Sequence, residues 1–313
     1  MKRLIALVGL AALLVPGLAQ ADIFEKVGTF GGQFLKIGVG ARAAGMGGAY
    51  VAMTDDATAV FWNAAGIARV EEGKSQISIN HANWPAELSY DQVGYVFHMK
   101  KIPGAFAVHA RALTMKPMEE TTAFQPFGTG RTFDAGMMSA GLTYARSFTD
   151  KFSAGVTVNM IHTGLADLSQ QTFAVDIGTL YDVGAAGMKI GMAIQNIGSQ
   201  EKFIEREARI PSIFRVGTTA TLFKGGDQKL TGSFEFSHPP DNSERVNVGA
   251  EYAFHQYLFL RGGYAFNYDA EGMSGGIGFH FPASVAGMAD LDYAYTDMLD
   301  LGAAHRFSIR FQF

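Results

Sequence analysis

Cysteine is absent from this chain of 313 residues, which excludes a disulfide framework, thiol catalysis and cysteine-ligated metals. Charge is sparse, at 17% of residues, and acidic on balance, with a formal net of −4. That sign argues against nucleic acid as a partner. Only 9 prolines interrupt the chain, so long regular segments are permitted. Long apolar runs are missing as well. The longest, Leu4 to Val15, has twelve residues, whereas a spanning helix needs about 20. Catalytic patterns are equally scarce. The 8 histidines are scattered and form no HExxH, no Walker A lysine is present, and no nucleophile elbow is expected. We therefore expect no enzyme, no metal and no cofactor.

What is present begins with an export leader. Lys2 and Arg3 form a basic start, Leu4 to Val15 an apolar centre, and Ala19-Gln20-Ala21 a small-residue cleavage site. Residues 1–21 would be removed, leaving Asp22 first in a still more acidic mature chain. With no spanning helix in view, any embedding of an exported chain must use strands.

Strand signals fill the chain from about residue 75 to its end. In the last of them Phe307, Ile309, Phe311 and Phe313 alternate with Arg306, Ser308, Arg310 and Gln312. Successive strand side chains point to opposite faces, so one face is apolar and the other strongly polar. Lipid outside and water inside a membrane barrel explain both faces. Phe311 and Phe313 are the candidate C-terminal assembly signal. We expect fourteen antiparallel strands, near 75–83, 88–100, 103–115, 132–148, 150–164, 170–184, 187–198, 211–224, 228–238, 244–255, 257–268, 272–282, 286–297 and 303–313. After the second strand the links alternate between short and mostly longer. Outer-membrane barrels have short inner turns and longer outer loops, and an even strand count brings both barrel ends to the periplasmic side.

A basic side chain facing lipid at mid-depth costs roughly 2–4 kcal/mol. Asp176, Arg215, Glu235, Glu251, Arg261, Asp290, Asp292, Arg306 and Arg310 should therefore face inward as a mixed lumenal network, with Glu251 and Arg261 paired. Mixed signs suit solvating a lumen and holding a plug better than selecting ions. Phe97, Tyr144, Phe148, Tyr181, Phe223, Tyr257 and Tyr268 lie near strand ends and are candidates for interfacial girdles.

Residues 22–74 differ from the rest. The run Gly38-Val39-Gly40-Ala41-Arg42-Ala43-Ala44-Gly45-Met46-Gly47-Gly48-Ala49-Tyr50 is dense in small residues, which permits the close backbone approach needed by a segment inside a barrel. In Thr54-Asp55-Asp56-Ala57-Thr58-Ala59-Val60-Phe61-Trp62-Asn63-Ala64-Ala65-Gly66-Ile67-Ala68, Thr54 or Asp55 can cap a short helix and Gly66 can stop it. Asp55 and Asp56 read as capping residues rather than a cation site.

Here a family resemblance emerges. The block FLKIGVGARAAGMGGAYVAMTDDATAVFWNAAGIA, Phe34 to Ala68, resembles the N-terminal signature of the PorV/PorQ family of FadL-like outer-membrane barrels. FAVDIGTLYDVG from Phe173, IGMAIQNIGSQ from Ile190, IPSIFRVG from Ile210, and VNVGAEYAF with LFLRGGYAF from Val246 resemble it too. One departure is Ala64, where the family has proline. The resemblance implies a fourteen-stranded barrel in the bacterial outer membrane, plugged by a hatch at 22–74. The hatch residues it singles out are Gly38, Gly40, Arg42, Gly45, Gly47, Gly48, Asp55, Asp56, Trp62, Asn63 and Gly66. Its implied partners are outer-membrane lipid and secretion-system proteins or cargo bearing a C-terminal signal domain. Hydrophobic small molecules are the alternative, as in the FadL-like transporters.

Recognition at the outer face would fall to residues 116–131, which combine Met118, Phe124 and Phe127 with Glu119, Glu120 and Arg131. Aromatic side chains on a long loop suit capture of a protein or an apolar ligand. The run from Glu201 to Glu207 is the second candidate.

Overall fold

The structure is a computed structural model that describes residues 29–203, 206–283 and 287–313. The leader expected at 1–21 lies outside them. Among the described residues no helix is long and apolar enough to cross a membrane.

Fourteen strands close into one antiparallel barrel. They are β1 Gln76–Trp84, β2 Leu88–Met99, β3 Ile102–Thr114, β6 Ala135–Ser147, β7 Phe152–Leu165, β8 Leu168–Asp182, β9 Lys189–Gly198, β12 Ile213–Gly225, β13 Gln228–His238, β14 Arg245–Phe254, β15 Leu258–Phe266, β16 Met273–Ala283, β17 Gly287–Asp297 and β18 Ala303–Gln312. Two hairpins stand apart from the wall: β4 Met118–Glu119 with β5 Thr132–Phe133, and β10 Gln200–Phe203 with β11 Arg206–Arg209. β1 closes the ring against β18, pairing Gln76 with Gln312 and Ser78 with Arg310.

The alternation read from β18 sets the two faces. Phe307 and Ile309 point out to the exposed wall, while Arg306 and Ser308 are buried inside. The same holds on β15, where Leu260, Tyr264 and Phe266 are exposed and Arg261 is buried. Every strand of the barrel bonds to two neighbours, so no edge of the wall is left unpaired, as lipid requires.

Connection lengths follow the expected parity less strictly than expected. The outward rim carries the long links at 115–134 and 199–212, but also a two-residue turn at Ala166 and Asp167 between β7 and β8. The inward rim carries the turns at 100–101 and 255–257 and the paired ends, where Ser75 and Phe313 exchange backbone hydrogen bonds of 2.8 and 3.0 Å. At this rim an aromatic row runs around the outer wall. Phe313 stacks at 6.5 Å on Tyr95, Tyr95 at 5.6 Å on Phe97, Phe97 at 6.0 Å on Phe106, and Phe106 lies 4.9 Å from Tyr144. Phe148, Tyr181, Phe223 and Tyr257 are exposed near the same rim. Tyr268 departs from this pattern. Beyond the end of β15 and after Asn267 at positive φ, its hydroxyl turns inward and donates to Asn247.

The barrel is filled. Residues from Phe34 to Val70 run through the lumen as short helical turns and extended links, and their apolar side chains form the buried core. The described chain starts at the outward rim, where Phe30 bridges Arg209 in parallel and Gly31 donates to the Arg209 carbonyl at 2.9 Å. It leaves at the inward rim through Lys74 and Ser75. The barrel ends therefore share the inward side, and the plug traverses the lumen from the outside inward. Because the chain lacks cysteine, single replacements can report this path. Thr29→Cys should react with a membrane-impermeant maleimide on intact cells, and Lys74→Cys only after the outer membrane is permeabilised. The reverse pattern would overturn the assigned direction.

Candidate functional site

The hatch is held first by shape. Hatch backbone presses directly on glycines of the wall. A Cβ added at Gly263 would lie less than 3 Å from Gly47 and Met46, and one at Gly191 less than 3 Å from Val51 and Ala52. Gly249, Gly155 and Gly94 face the backbone of Met46, Ala64 and Ala57 in the same way, and Gly178 faces the Ala64 backbone beside the Asn63 side chain. Much of the glycine in the inward-facing wall therefore marks the footprint of the plug. Gly47 adds a conformational requirement, since it sits at φ +64 with Tyr264 and Val248 close behind it.

Polar ties then fix the register. Glu235 on β13 is fully buried. One of its oxygens accepts the backbone N–H groups of Tyr50 and Val51 at 2.9 and 2.8 Å, and the other accepts from Arg215 at 2.8 Å. Arg215 also donates to Gln195 at 2.9 Å and lies 5.2 Å over the Trp62 ring. Gln195 and Asn247 donate to the carbonyls of Phe61 and Gly47 at 2.9 and 2.6 Å. Asn63 donates to Val51 and Thr179 and accepts from Ala65, so it caps the turn beginning at Ala64. This capping shapes the turn where the family's proline is missing.

A second tie is ionic. Arg42 forks onto Glu251 at 3.0 and 3.2 Å and reaches Asp55 at 2.8 Å and Asp56 at 3.5 Å. Asp56 also pairs with Arg310, which donates to Asp290 at 2.7 Å. Glu251 and Arg261, opposite each other in register, pair at 2.8 Å, and Arg261 continues to Asp292. The result is one alternating chain of charge from hatch to wall. It borders a cavity of about 520 Å³ that opens past Asp227 and Gln256 at the inward rim.

The nine lumenal charges thus divide. Glu251, Arg261, Asp290, Asp292 and Arg310 belong to this ionic belt, and Arg215 pairs with Glu235. Asp176 forms no salt bridge among the described residues. It accepts instead from the Asn159 side chain and the Asn196 backbone, because a bulge between β8 and β9 turns Asn196 inward. Arg306 is separate again, donating to Thr296 and stacking on Trp84.

Three expectations are corrected in the hatch. Asp56, not Thr54 or Asp55, caps the turn Ala57–Phe61, accepting from Thr58 at 2.8 Å. Asp55 is drawn into the ion pair with Arg42 instead. Gly66 lies within the turn Ala64–Arg69 rather than stopping it, because Thr54 packs where its Cβ would be. Gly38 leaves room in the same fashion for the Trp62 ring, whose N–H donates to Val39 at 2.9 Å. In the wall, Gly272-Met273-Ser274-Gly275-Gly276 does have elbow spacing. Met273 to Gly276 nonetheless belong to β16, with no strand-turn-helix and no base bonded to the Ser274 hydroxyl. No group of three or more potential ligands that could hold a metal occurs among the described residues.

At the outward mouth, β4 and β5 stiffen the base of the 115–134 loop. Above them the Glu120 N–H donates to the Arg131 carbonyl and the Glu120 carbonyl accepts from the Thr129 N–H, with Thr122 and Gln125 bridging near the tip. Phe124 and Phe127 are each 97% exposed, and Met118 is exposed beside them. Arg131 pairs with Glu120 at 3.7 Å, which makes it a brace of the hairpin. The β10–β11 hairpin stands at the same mouth and is bridged to the hatch through Arg209. Side chains from Glu201 to Arg206 lie outside the described residues. Nearby, Lys36 and Gln33 donate to Asp241 at 2.9 Å each. Burial pushes the Asp241 carboxyl up, but these two donors bring it below its ordinary value. Nothing in the sequence pattern signals these hatch-to-loop ties.

Comparison with known proteins adds a family and a fold. A family described as type IX secretion system protein PorV matches residues 20–239. No curated protein matches the sequence. Among solved structures, the Ralstonia pickettii toluene transporter TbuX is 14% identical with a TM-score of 0.61, covering 88% of this chain and 98% of that one. A Pseudomonas aeruginosa FadL homologue is 12% identical with a TM-score of 0.57, over 88% and 98%. The Pseudomonas putida toluene transporter TodX is 11% identical with a TM-score of 0.58, over 88% and 96%. At these identities the likeness is one of fold.

Proposed function

The chain belongs to the family of the type IX secretion system protein PorV, and from that membership we propose that it is a non-enzymatic carrier binding exported protein cargo at its outward loops. It is a bacterial outer-membrane barrel of the FadL-like kind. The cargo is a secreted protein with a C-terminal signal domain. The observation that carries this reading is the hairpin at 115–134, braced at its base and presenting Phe124 and Phe127 almost wholly to solvent. Aromatic anchors of this kind supply a large share of the energy at protein interfaces.

The toluene transporters share the fold, but the lumen here favours the carrier reading. Among the described residues the wall is continuous and the plug is packed backbone to backbone against it. The cavity of about 520 Å³ at the ionic belt is lined by Arg42, Glu251, Arg261, Asp290, Asp292 and Arg310, which is poor solvent for an apolar molecule.

Deleting residues 118–130, or replacing both phenylalanines with serine, should leave the barrel assembled. Surface delivery of a reporter carrying the native export signal should then fall about tenfold or more, since two anchor side chains at ~1–2 kcal/mol each are removed. Assembly is read as heat-modifiable mobility and delivery as surface proteolysis of the reporter. Unchanged delivery by an assembled variant would sink the proposal.

A further inference from the structure

Arg306 is an anomaly in the lumen. It is 4% exposed, yet among the described residues no carboxylate lies within ion-pair distance. Its Nη1 donates to Thr296, while its Nε has no partner. A guanidinium in that position carries a desolvation cost that one hydroxyl does not offset. The Ser274 hydroxyl, also buried, is unpartnered too. Ser274, Thr296 and Arg306 come from three adjacent strands and line one small cavity of about 40 Å³ between hatch and wall.

The remaining walls narrow the ligand. Lys36 and Arg215 line the cavity but are committed to Asp241 and Glu235. Glu271 also faces it and attracts Arg306 only at a distance, which disfavours a divalent anion there. A single water needs roughly 10–15 Å³ on this measure of volume, so the space suits about three heavy atoms. That is the size of a carboxylate group, and Arg with a hydroxyl donor is a natural receptor for one. Tyr268, Glu271 and Gly272 belong to the outward link between β15 and β16, so the approach is from outside.

We propose that Arg306 and Ser274 form a binding site for one carboxylate reaching the lumen from the outward mouth. The group comes either from a small free acid or from the carboxyl end of a polypeptide. Both tryptophans of the chain are placed to report occupancy: Trp62 lines the cavity and Trp84 stacks on Arg306 at 5.1 Å.

The test is tryptophan fluorescence of the purified full-length barrel at constant ionic strength. It is titrated with sodium acetate, with sodium chloride, and with a short peptide as free acid or C-terminal amide. The expected result is a saturable response to acetate or to the free-acid peptide, with chloride and the amide inert. Arg306→Gln should weaken it at least about tenfold, as loss of a charged hydrogen bond predicts, and Ser274→Ala should weaken it several-fold. The small serine change covers the case in which the arginine variant fails to fold. A response confined to acetate assigns a free acid, and a stronger response to the free-acid peptide assigns a chain end. No saturable response, or one that neither variant alters, would overturn the site.

Discussion

Glu235→Ala should destabilise the plugged barrel by about 3–5 kcal/mol, the scale of breaking a buried ion pair from one side. The substitution removes three accepted hydrogen bonds at once. The Tyr50 and Val51 amides lose their acceptor, and Arg215 keeps its charge, buried, without its counterion. An unsatisfied buried group costs about 1–3 kcal/mol, so the loss should appear as a lower urea midpoint and as faster proteolysis of the hatch. Replacing both Arg215 and Glu235 by methionine should recover much of the loss, since no lone charge remains, although the two amides stay unpaired. Wild-type stability and hatch protection in Glu235→Ala would show that this carboxylate does not hold the plug.

Gly263→Val should unseat the hatch by a different route. The new side chain would occupy the space of the Met46–Gly47 backbone, which has no flexible end to move aside. Overpacking of a tight site costs typically 1–3 kcal/mol, and a backbone-to-backbone crossing should lie at or above the upper end. The neighbouring Gly262 provides the control. It points to the outer wall with nothing within 4 Å of an added Cβ, so Gly262→Val should behave as wild type. Protease cleavage within residues 38–60 on the folded barrel is the readout. Equal protection in the two variants would mean that the glycine contact does not position the plug.

These two expectations concern features of unequal visibility. The strands themselves were legible because a lipid–water boundary imposes a period of two on every segment. The outward Phe307 and Ile309 and the inward Arg306 and Ser308 follow from that boundary alone. The Glu251–Arg261 pair could be anticipated because a short turn at 255–257 fixes the register of β14 against β15. The partners of Glu235 could not. Its hydrogen bonds reach residues 184 and 185 positions away in sequence, and backbone amides look alike in every residue. The wall glycines were visible as composition, but their common purpose was not, since a missing side chain carries no record of what fills its place.

Sequence alone determined that this chain is exported, that it crosses the membrane by alternating strands, and that its inward charges are of both signs. Local chemistry is sufficient for those conclusions. Tertiary structure decided the direction in which the hatch traverses the lumen, which charges join the ionic belt, and that Arg306 stands apart from it. Each of these depends on contacts between segments far apart in the chain, where only closure of the barrel around its plug brings the groups together.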